Sequence, residues 1–279
     1  MVIYEMDGVV QPGQESQLGE HFLGNWVEEN ASFLFFSKEA EEEIASLIKA
    51  VEDVRLVDRY ELDYEEWQGE GSEEIRVPPF LIASPGRTAV PTAGEIRILL
   101  DPGLVFGNGL HPTTRDCLRA LAFACRVEPL TTVLDLGTGT GILSLAAACL
   151  GAKRVLAVDA NPLCVQTARK NCILNGVEDR VRVVEGEAAA FLGEPGDLVV
   201  ANMHYSAVSE VMKERDPRLH KRFLLSGLLR SQARDLKADL DRLRYTLIRE
   251  WDHEMTWYTL LLRGDERALG QRKNAARVV

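Results

Sequence analysis

From residue 131 onward, short apolar runs alternate with longer segments whose apolar residues recur at helical spacing. The runs TTVLDLG, RVLAVDA, VRVVEG and DLVVANM predict buried strands. The intervening segments predict helices, one of which has Pro162 in its first turn and Gly176 at its end. Strands that alternate with helices predict a parallel sheet covered on both faces.

Three further apolar runs, RFLLSGLL, YTLIREW and WYTLLLRG, continue this series toward the C terminus. Only DHEMT separates the last two, so they predict an antiparallel hairpin at one edge of the sheet. The region therefore predicts an α/β fold.

The first 70 residues predict a small α+β domain. FLFF and VRLVDRY are short strand candidates, and the spacing of Ile44, Leu47 and Val51 gives the segment between them one apolar helical face. This domain is strongly acidic, because residues 1–80 contain 20 acidic and 5 basic side chains.

Three more regions complete the predicted organisation. We expect residues 71–105 to form a linker and an extended hairpin, because WQGEGSEE lacks apolar periodicity and two extended segments, at 75–84 and 95–100, follow it. The α/β domain then occupies residues 106–264. Residues 265–279 are polar and are expected to form a flexible tail.

Composition and charge narrow the functional classes. The net charge is −11 and is concentrated in the N-terminal domain. This domain either binds a basic partner, rather than nucleic acid, or presents a solvated acidic face that only confers solubility. No apolar run is long enough to span a membrane, and no signal peptide is recognisable. The five cysteines form no C-x-x-C pair, which favours reduced thiols in a cytoplasmic protein.

The sharpest motif is DLGTGTG, which follows the first strand of the α/β domain, where open sheets bind nucleotides. Gly137 and Gly139 expose bare backbone, and Asp159 ends the next strand, where it can accept hydrogen bonds from a ribose. A dinucleotide site would need a third glycine at the position of Ile142. Asp135 instead suits a ligand with an amino group.

This combination resembles motif I of the Rossmann-like methyltransferases that bind S-adenosylmethionine, and the terminal hairpin resembles the end of their seven-stranded sheet. The stretch LLDPGLVFGNGLHPTT is, in addition, similar to the signature of the PrmA family, which methylates a large-subunit ribosomal protein. The resemblance implies that a loop closes over the cofactor. It implies these cofactor contacts: Phe106, Asn108, Thr114, Asp135, Gly137, Gly139, Asp159 and Asn202.

The chain departs from the family pattern in three places. Asn108 stands where the family usually has threonine. The sequence Asn202-Met203-His204-Tyr205 replaces the usual N-I-L or a similar run. The N-terminal segment is short and only vaguely like the family's ferredoxin-like substrate domain.

Several polar residues are candidates for the chemistry. The side-chain oxygen of Asn202 can accept a hydrogen bond from an attacking amine, and His204 is either a proton acceptor or a loop residue that packs over the pocket. Glu187 either accepts from the adenine amino group or is solvated. His111 is expected to hold the loop, with Thr113 or Thr114 capping the helix that follows. No grouping of histidines indicates a metal.

The resulting prediction is an S-adenosylmethionine-dependent methyltransferase that N-methylates lysine or N-terminal amines of a ribosomal or other basic protein. Two alternatives stay open. One is a methyltransferase of nucleic acid or of a small-molecule amine, and the other is a non-catalytic descendant that retains cofactor binding.

Overall fold

A computed structural model describes residues 1–28, 30–62, 74–86, 88, 90–215 and 219–264. The chain forms two compact units, Met1–Ser72 and Glu73–Val279. The predicted flexible tail, residues 265–279, lies outside the described residues, as does most of the expected boundary segment.

The first unit is a four-stranded antiparallel sheet with two helices. Its elements are β1 (Val2–Asp7), α1 (Pro12–Glu15), β2 (Phe22–Glu28), β3 (Ala31–Phe36), α2 (Glu41–Ala50) and β4 (Arg55–Glu61). The strand order is β2-β3-β1-β4, and every neighbouring pair is antiparallel. This βαββαβ order is the ferredoxin-like topology, which the sequence suggested only vaguely because α1 is four residues long.

The core of the first unit lies between the sheet and α2. Tyr4, Leu34 and Phe36 from the strands pack with Ile44 and Leu47 from the helix, and all five side chains are buried. The Tyr4 hydroxyl accepts a hydrogen bond from the backbone amide before α2 at 2.9 Å. The predicted apolar face of this helix is therefore the face that holds it on the sheet.

A small three-stranded sheet begins the second unit, and it corrects the expected hairpin. Its strands are β5 (Ile75–Val77), β6 (Phe80–Ala83) and β7 (Ile96–Leu99). The two extended segments do not pair with each other as a hairpin. The first segment turns back on itself at Pro78 and Pro79, which cannot donate to a ladder, so that β5 and β6 are antiparallel. β7 then lies parallel to β6.

The seven-stranded sheet predicted for the second unit is confirmed. Its strands are β8 (Thr132–Leu136), β9 (Arg154–Asp159), β10 (Val181–Glu185), β11 (Leu198–Asn202), β12 (Arg222–Leu229), β13 (Tyr245–His253) and β14 (Trp257–Gly264), in the order β10-β9-β8-β11-β12-β14-β13. β8 to β12 are parallel, and β14 lies antiparallel between β12 and β13.

Helices cover both faces of this sheet. They are α3 (Pro112–Val127), α4 (Ile142–Cys149), α5 (Pro162–Leu174), α6 (Tyr205–Glu214), α7 (Arg230–Ala238) and α8 (Leu240–Leu243), with a 3₁₀ turn at Ala188–Phe191. The buried side chains form two large apolar clusters, so the near-continuous apolar strands are covered on both sides. Within the part of the chain that the structure describes, no helix is long and apolar enough to cross a bilayer.

The strand order fixes where a ligand can bind. β8 is central in the sheet. The next two strands in the chain, β9 and β10, lie on one side of β8, and the following strands, β11 and β12, lie on the other side, so the strand order reverses beside β8. In open α/β sheets, ligands bind at the carboxyl ends of the strands at such a reversal. The segments after β8, β9 and β11 therefore form the candidate site.

Candidate functional site

The glycine loop, residues 137–141, joins β8 to α4 and lies at this reversal. The amides of Gly137 and Thr138 both donate to the carbonyl of Val158 at 2.9 Å, which ties the loop to β9. A side chain on Gly137 would place its Cβ 2.5 Å from the Met203 side chain, and the φ of Gly137 is +70°. The left-handed backbone conformation therefore favours glycine at this position, and any side chain there would also displace the Met203 side chain.

Asp135 holds the glycine loop from beneath. Its side chain is 1% exposed, and Oδ2 accepts hydrogen bonds from the hydroxyls of Thr138 at 2.7 Å and Ser144 at 2.6 Å. Burial raises the pKa of this carboxyl, and the two hydroxyl donors act against that rise. Oδ1 is buried with no hydrogen-bond partner among the described residues.

Asp159 ends β9 and is oriented by two backbone amides. Gly139 donates to Oδ2 at 2.9 Å, and Asn161 donates to Oδ1 at 3.0 Å. Each carboxylate oxygen has two acceptor positions, so both oxygens can still accept from a ligand. Burial raises the pKa of Asp159, and the two backbone donors partly offset it. The structure thus holds a half-buried acceptor beside the glycine loop.

The predicted covering loop, residues 106–110, is attached to the glycine loop through one residue. Thr140 donates its amide to the carbonyl of Phe106 at 3.1 Å and its hydroxyl to the carbonyl of Gly107 at 2.8 Å. A Cβ on Gly139 would lie 2.6 Å from the Phe106 carbonyl oxygen. The two loops that the resemblance assigned to one cofactor are therefore in direct contact.

The side chains of the covering loop have distinct positions. Phe106 is 71% exposed. The side-chain oxygen of Asn108 accepts from the Leu110 amide at 3.0 Å, a local turn contact that a threonine hydroxyl can also make. Arg115 donates to the Gly109 carbonyl at 3.2 Å from the first turns of α3.

The prediction that Thr113 or Thr114 caps α3 is wrong. The cap is His111, whose Nδ1 accepts from the Thr113 amide at 3.3 Å and lies 2.7 Å from the Thr113 hydroxyl. Pro112 starts the helix, which places the threonines inside it, and both are 4% exposed. The side chain of His111 therefore makes a structural hydrogen bond at the junction between the covering loop and α3.

The environment of His111 includes residues that sequence reasoning missed. Its ring packs edge-on against Trp257, with 5.2 Å between the ring centroids. Burial lowers the pKa of His111, and the charge of His253 lowers it further. His253 ends β13 and Trp257 begins β14, so the two residues flank the turn of that hairpin. They lie near His111 only because of the strand order in the sheet, and no local sequence pattern indicates this.

Asn202 ends β11, and its backbone pairs with Ser226 of β12. The next residue, Met203, lies between two glycines of the site. Its side chain contacts Gly137, and a Cβ on Gly227 would lie 2.3 Å from its carbonyl oxygen. Gly227, at the irregularity in β12, was not singled out from the sequence, although its φ of +80° requires glycine. These contacts set the position of half-buried Asn202 at the carboxyl edge.

His204 and Glu187 are both exposed. His204 is the N-cap of α6, with Nδ1 3.0 Å from the hydroxyl and 3.5 Å from the amide of Ser206. Glu187 follows β10 and precedes the 3₁₀ turn, which its side chain does not cap. The geometry therefore gives His204 a structural role, whereas Glu187 has no structural role among the contacts described.

The arrangement suits a nucleoside that carries an amino-acid end. The glycine loop gives bare backbone, Asp159 gives oriented acceptors for a ribose, and Asp135 gives an unpartnered acceptor behind the loop. These features fit S-adenosylmethionine. Among the described residues, no group of three or more His, Cys, Asp or Glu side chains is arranged to hold a metal ion.

Comparison with known proteins agrees with this geometry. The sequence model of the family described as "Ribosomal protein L11 methyltransferase (PrmA)" matches residues 9–264. A ribosomal protein L11 methyltransferase of Heliobacterium modesticaldum is 41% identical over 151 residues, which are 53% of this chain and 47% of that protein. One from Anoxybacillus flavithermus is 39% identical over 171 residues, 60% of this chain and 54% of that protein.

A solved structure extends the likeness to the fold. The ribosomal protein L11 methylase of Lactobacillus delbrueckii subsp. bulgaricus has a TM-score of 0.62 and 28% identity, covering 69% of this chain and 98% of that one. The chain spans about half the length of the two curated relatives it matches. Because the family model covers nearly all of the described residues, the chain belongs to the family of ribosomal protein L11 methyltransferases (PrmA).

Proposed function

We propose that this chain is an S-adenosylmethionine-dependent methyltransferase that N-methylates lysine or N-terminal amines of a ribosomal protein, with ribosomal protein L11 as the first candidate. The observation that carries the proposal is the hydrogen bond between the Gly139 amide and Asp159, because it joins the two elements that a nucleoside cofactor needs. The family membership adds the reaction class.

In this proposal the residues at the carboxyl edge bind and orient the methyl donor. Asp159 accepts from the ribose hydroxyls, Gly137 and Gly139 allow the ligand to approach the backbone, and Asp135 faces the amino end. Thr114 and the covering-loop residues Phe106 and Asn108 close over the methionine part. Glu187, two residues beyond β10, accepts from the adenine amino group.

Methyl transfer requires the protein to align the amine with the methyl group and does not require covalent catalysis by a side chain. Bound S-adenosylmethionine supplies a methyl group on a sulfonium, which is already activated for attack by an amine. The chain must therefore hold the amine in line and exclude water. In this proposal, the side-chain oxygen of Asn202 accepts a hydrogen bond from that amine and so orients the amine lone pair toward the methyl group. His204 uses Nδ1 for the helix cap, and in the proposed reaction it has this cap role and no part in proton transfer.

The acidic first unit is the proposed recognition element. Its sequence carries most of the acidic excess of the chain, and a strongly acidic domain attracts basic ribosomal proteins and repels nucleic-acid phosphates. We accordingly place the reaction in the cytoplasm, where ribosomal proteins are made.

The test is methyl transfer from radiolabelled S-adenosylmethionine to purified ribosomal protein L11, with ribosomal RNA and total small molecules of the same lysate as parallel acceptors. Label in L11 that mass spectrometry places on lysine or the N-terminal amine supports the proposal. Label confined to RNA or to small molecules would show that the acceptor class is wrong. Binding of the labelled donor without label in any acceptor would favour the non-catalytic descendant that retains cofactor binding. Failure to bind the donor would contradict both enzyme hypotheses.

A further inference from the structure

One face of α5 lies beside the end of β9, the glycine loop and the segment that leads into the covering loop. Four residues at spacings of four, three and four share this face: Cys164, Ala168, Asn171 and Asn175. Burial raises the pKa of the Cys164 thiol, and the neighbouring charge of Asp159 raises it further. Ala168 is small enough for Gly141 to approach so closely that a Cβ on Gly141 would lie 3.1 Å from the Ala168 Cβ. This stripe of four residues therefore begins beside Asp159, the proposed ribose acceptor, and continues beside the glycine loop.

Asn171 is the residue of this stripe that joins the two loops. Its side chain is fully buried. Oδ1 accepts from the Asp101 amide at 2.9 Å, and Nδ2 donates to the Asp101 carbonyl and to the Thr140 carbonyl, each also at 2.9 Å. Asp101 starts the segment that leads into the covering loop, and Thr140 is the residue of the glycine loop that holds Phe106 and Gly107.

We propose that Asn171 is a positioning residue for the methyl donor, which fixes the base of the covering loop and the glycine loop in one arrangement without touching the ligand. The inference rests on the proposed function. A buried amide with three hydrogen bonds has one orientation, because any rotation leaves buried backbone groups without partners. The ligand then meets two loops that are already in register, and little ordering is left to oppose binding.

Asn175, one helical turn further on, is a matched control. It also makes three side-chain hydrogen bonds: from the Leu99 amide at 2.9 Å, to the Leu99 carbonyl at 2.6 Å and to the Asn171 carbonyl at 2.8 Å. None of these reaches the glycine loop. Asn175→Ala therefore measures how much stability is lost when an amide with three hydrogen bonds is removed, while the connection between the two loops stays intact.

The experiment compares Asn171→Ala with Asn175→Ala, both well below their melting temperatures, by calorimetry with S-adenosylhomocysteine and by kinetics with S-adenosylmethionine. We expect Asn171→Ala to weaken binding at least about tenfold and to raise KM for the donor, with kcat at saturating donor within about threefold of wild type. Asn175→Ala should stay within about threefold in both constants. Equal effects in the two variants would overturn the inference.

Amide hydrogen exchange of the unmodified protein covers the case in which Asn171→Ala does not fold. S-adenosylhomocysteine should slow exchange at Asp101, which donates to Asn171, as well as in the glycine loop, and should leave Leu99 unchanged. Protection of the glycine loop without Asp101 would contradict the inference alone. Absence of any binding by the unmodified protein would instead contradict the proposed function, and the inference with it.

Discussion

The amide of Gly139 donates a hydrogen bond to Oδ2 of Asp159 at 2.9 Å. The protein's own hydrogen bond therefore joins the loop after β8 to the acid that ends β9. The glycine loop orients Asp159, and the same loop exposes backbone that a nucleoside can approach. Such preorganisation limits the ordering that binding must impose.

The first prediction concerns the acid of this pair. Asp159→Ala should weaken binding of S-adenosylhomocysteine at least about tenfold, because the ribose loses charge-assisted hydrogen bonds. Isothermal calorimetry measures the effect. Asp179→Ala, which removes an exposed carboxylate, is the control and should bind like wild type. An unchanged dissociation constant in Asp159→Ala would show that this residue does not contact the ribose.

The second prediction separates backbone strain from crowding. Gly139 and Gly176 have similar φ values, +55° and +61°, but a Cβ on Gly139 meets the Phe106 carbonyl at 2.6 Å, whereas one on Gly176 meets nothing within 4 Å. Both alanine variants should lose about 1–2 kcal/mol of unfolding free energy from left-handed strain. Only Gly139→Ala should also lose affinity for S-adenosylhomocysteine. Equal affinities would mean that the covering loop adjusts freely.

The third prediction is a pH dependence from Asp135. Burial raises its pKa in the folded protein, so the folded state binds more protons than the unfolded state just above the ordinary pKa of an aspartate. Stability from this group is consequently lost as the pH rises through the raised value. The unfolding free energy of Asp135→Asn minus that of wild type should therefore grow as the pH is raised from the ordinary pKa of an aspartate, about 3.9, toward neutrality. Urea unfolding across this range measures it, and a difference that falls with pH would contradict the assignment.

The fourth prediction tests the acceptor role of Asn202. Asn202→Ala should lower kcat by about 10²-fold, a typical effect of removing one oriented hydrogen-bonding group, and should weaken binding of the donor only about threefold. Asn202→Asp retains an oxygen acceptor and should keep more activity than the alanine variant. If the two variants have the same kcat, the side-chain oxygen does not orient the amine.

The fifth prediction concerns His204. Asparagine is a strong N-cap residue, so His204→Asn should preserve the stability of α6, whereas His204→Ala should cost about 1 kcal/mol. Because Nδ1 serves the cap, we expect His204→Asn to keep kcat within about threefold of wild type. A large loss of kcat at unchanged melting temperature would instead assign the imidazole a direct part in proton transfer.

Much of the site followed from local sequence because its signals lie within a few residues of each other. The strand before Gly137, the absence of a third glycine at Ile142 and the acid at the end of β9 all belong to one βαβ unit. The sheet itself also followed, since apolar runs that alternate with helices leave few arrangements that bury both faces.

Other features could not be predicted in this way. The ferredoxin-like order of the first unit was not predicted because α1 has only four residues, too few to show a helical periodicity. The histidine caps at His111 and His204 were missed because imidazole is an uncommon cap, and its use depends on the exact turn that precedes the helix.

The sequence by itself determined the α/β class, the glycine loop and the acids at the strand ends, because these depend on contacts between near neighbours along the chain. Only the tertiary structure placed Trp257 against His111 and Asn171 between Asp101 and Thr140. Those contacts join residues 31 to 146 positions apart. They exist because the sheet order and the packing of α5 bring distant segments to one edge, which no local pattern encodes.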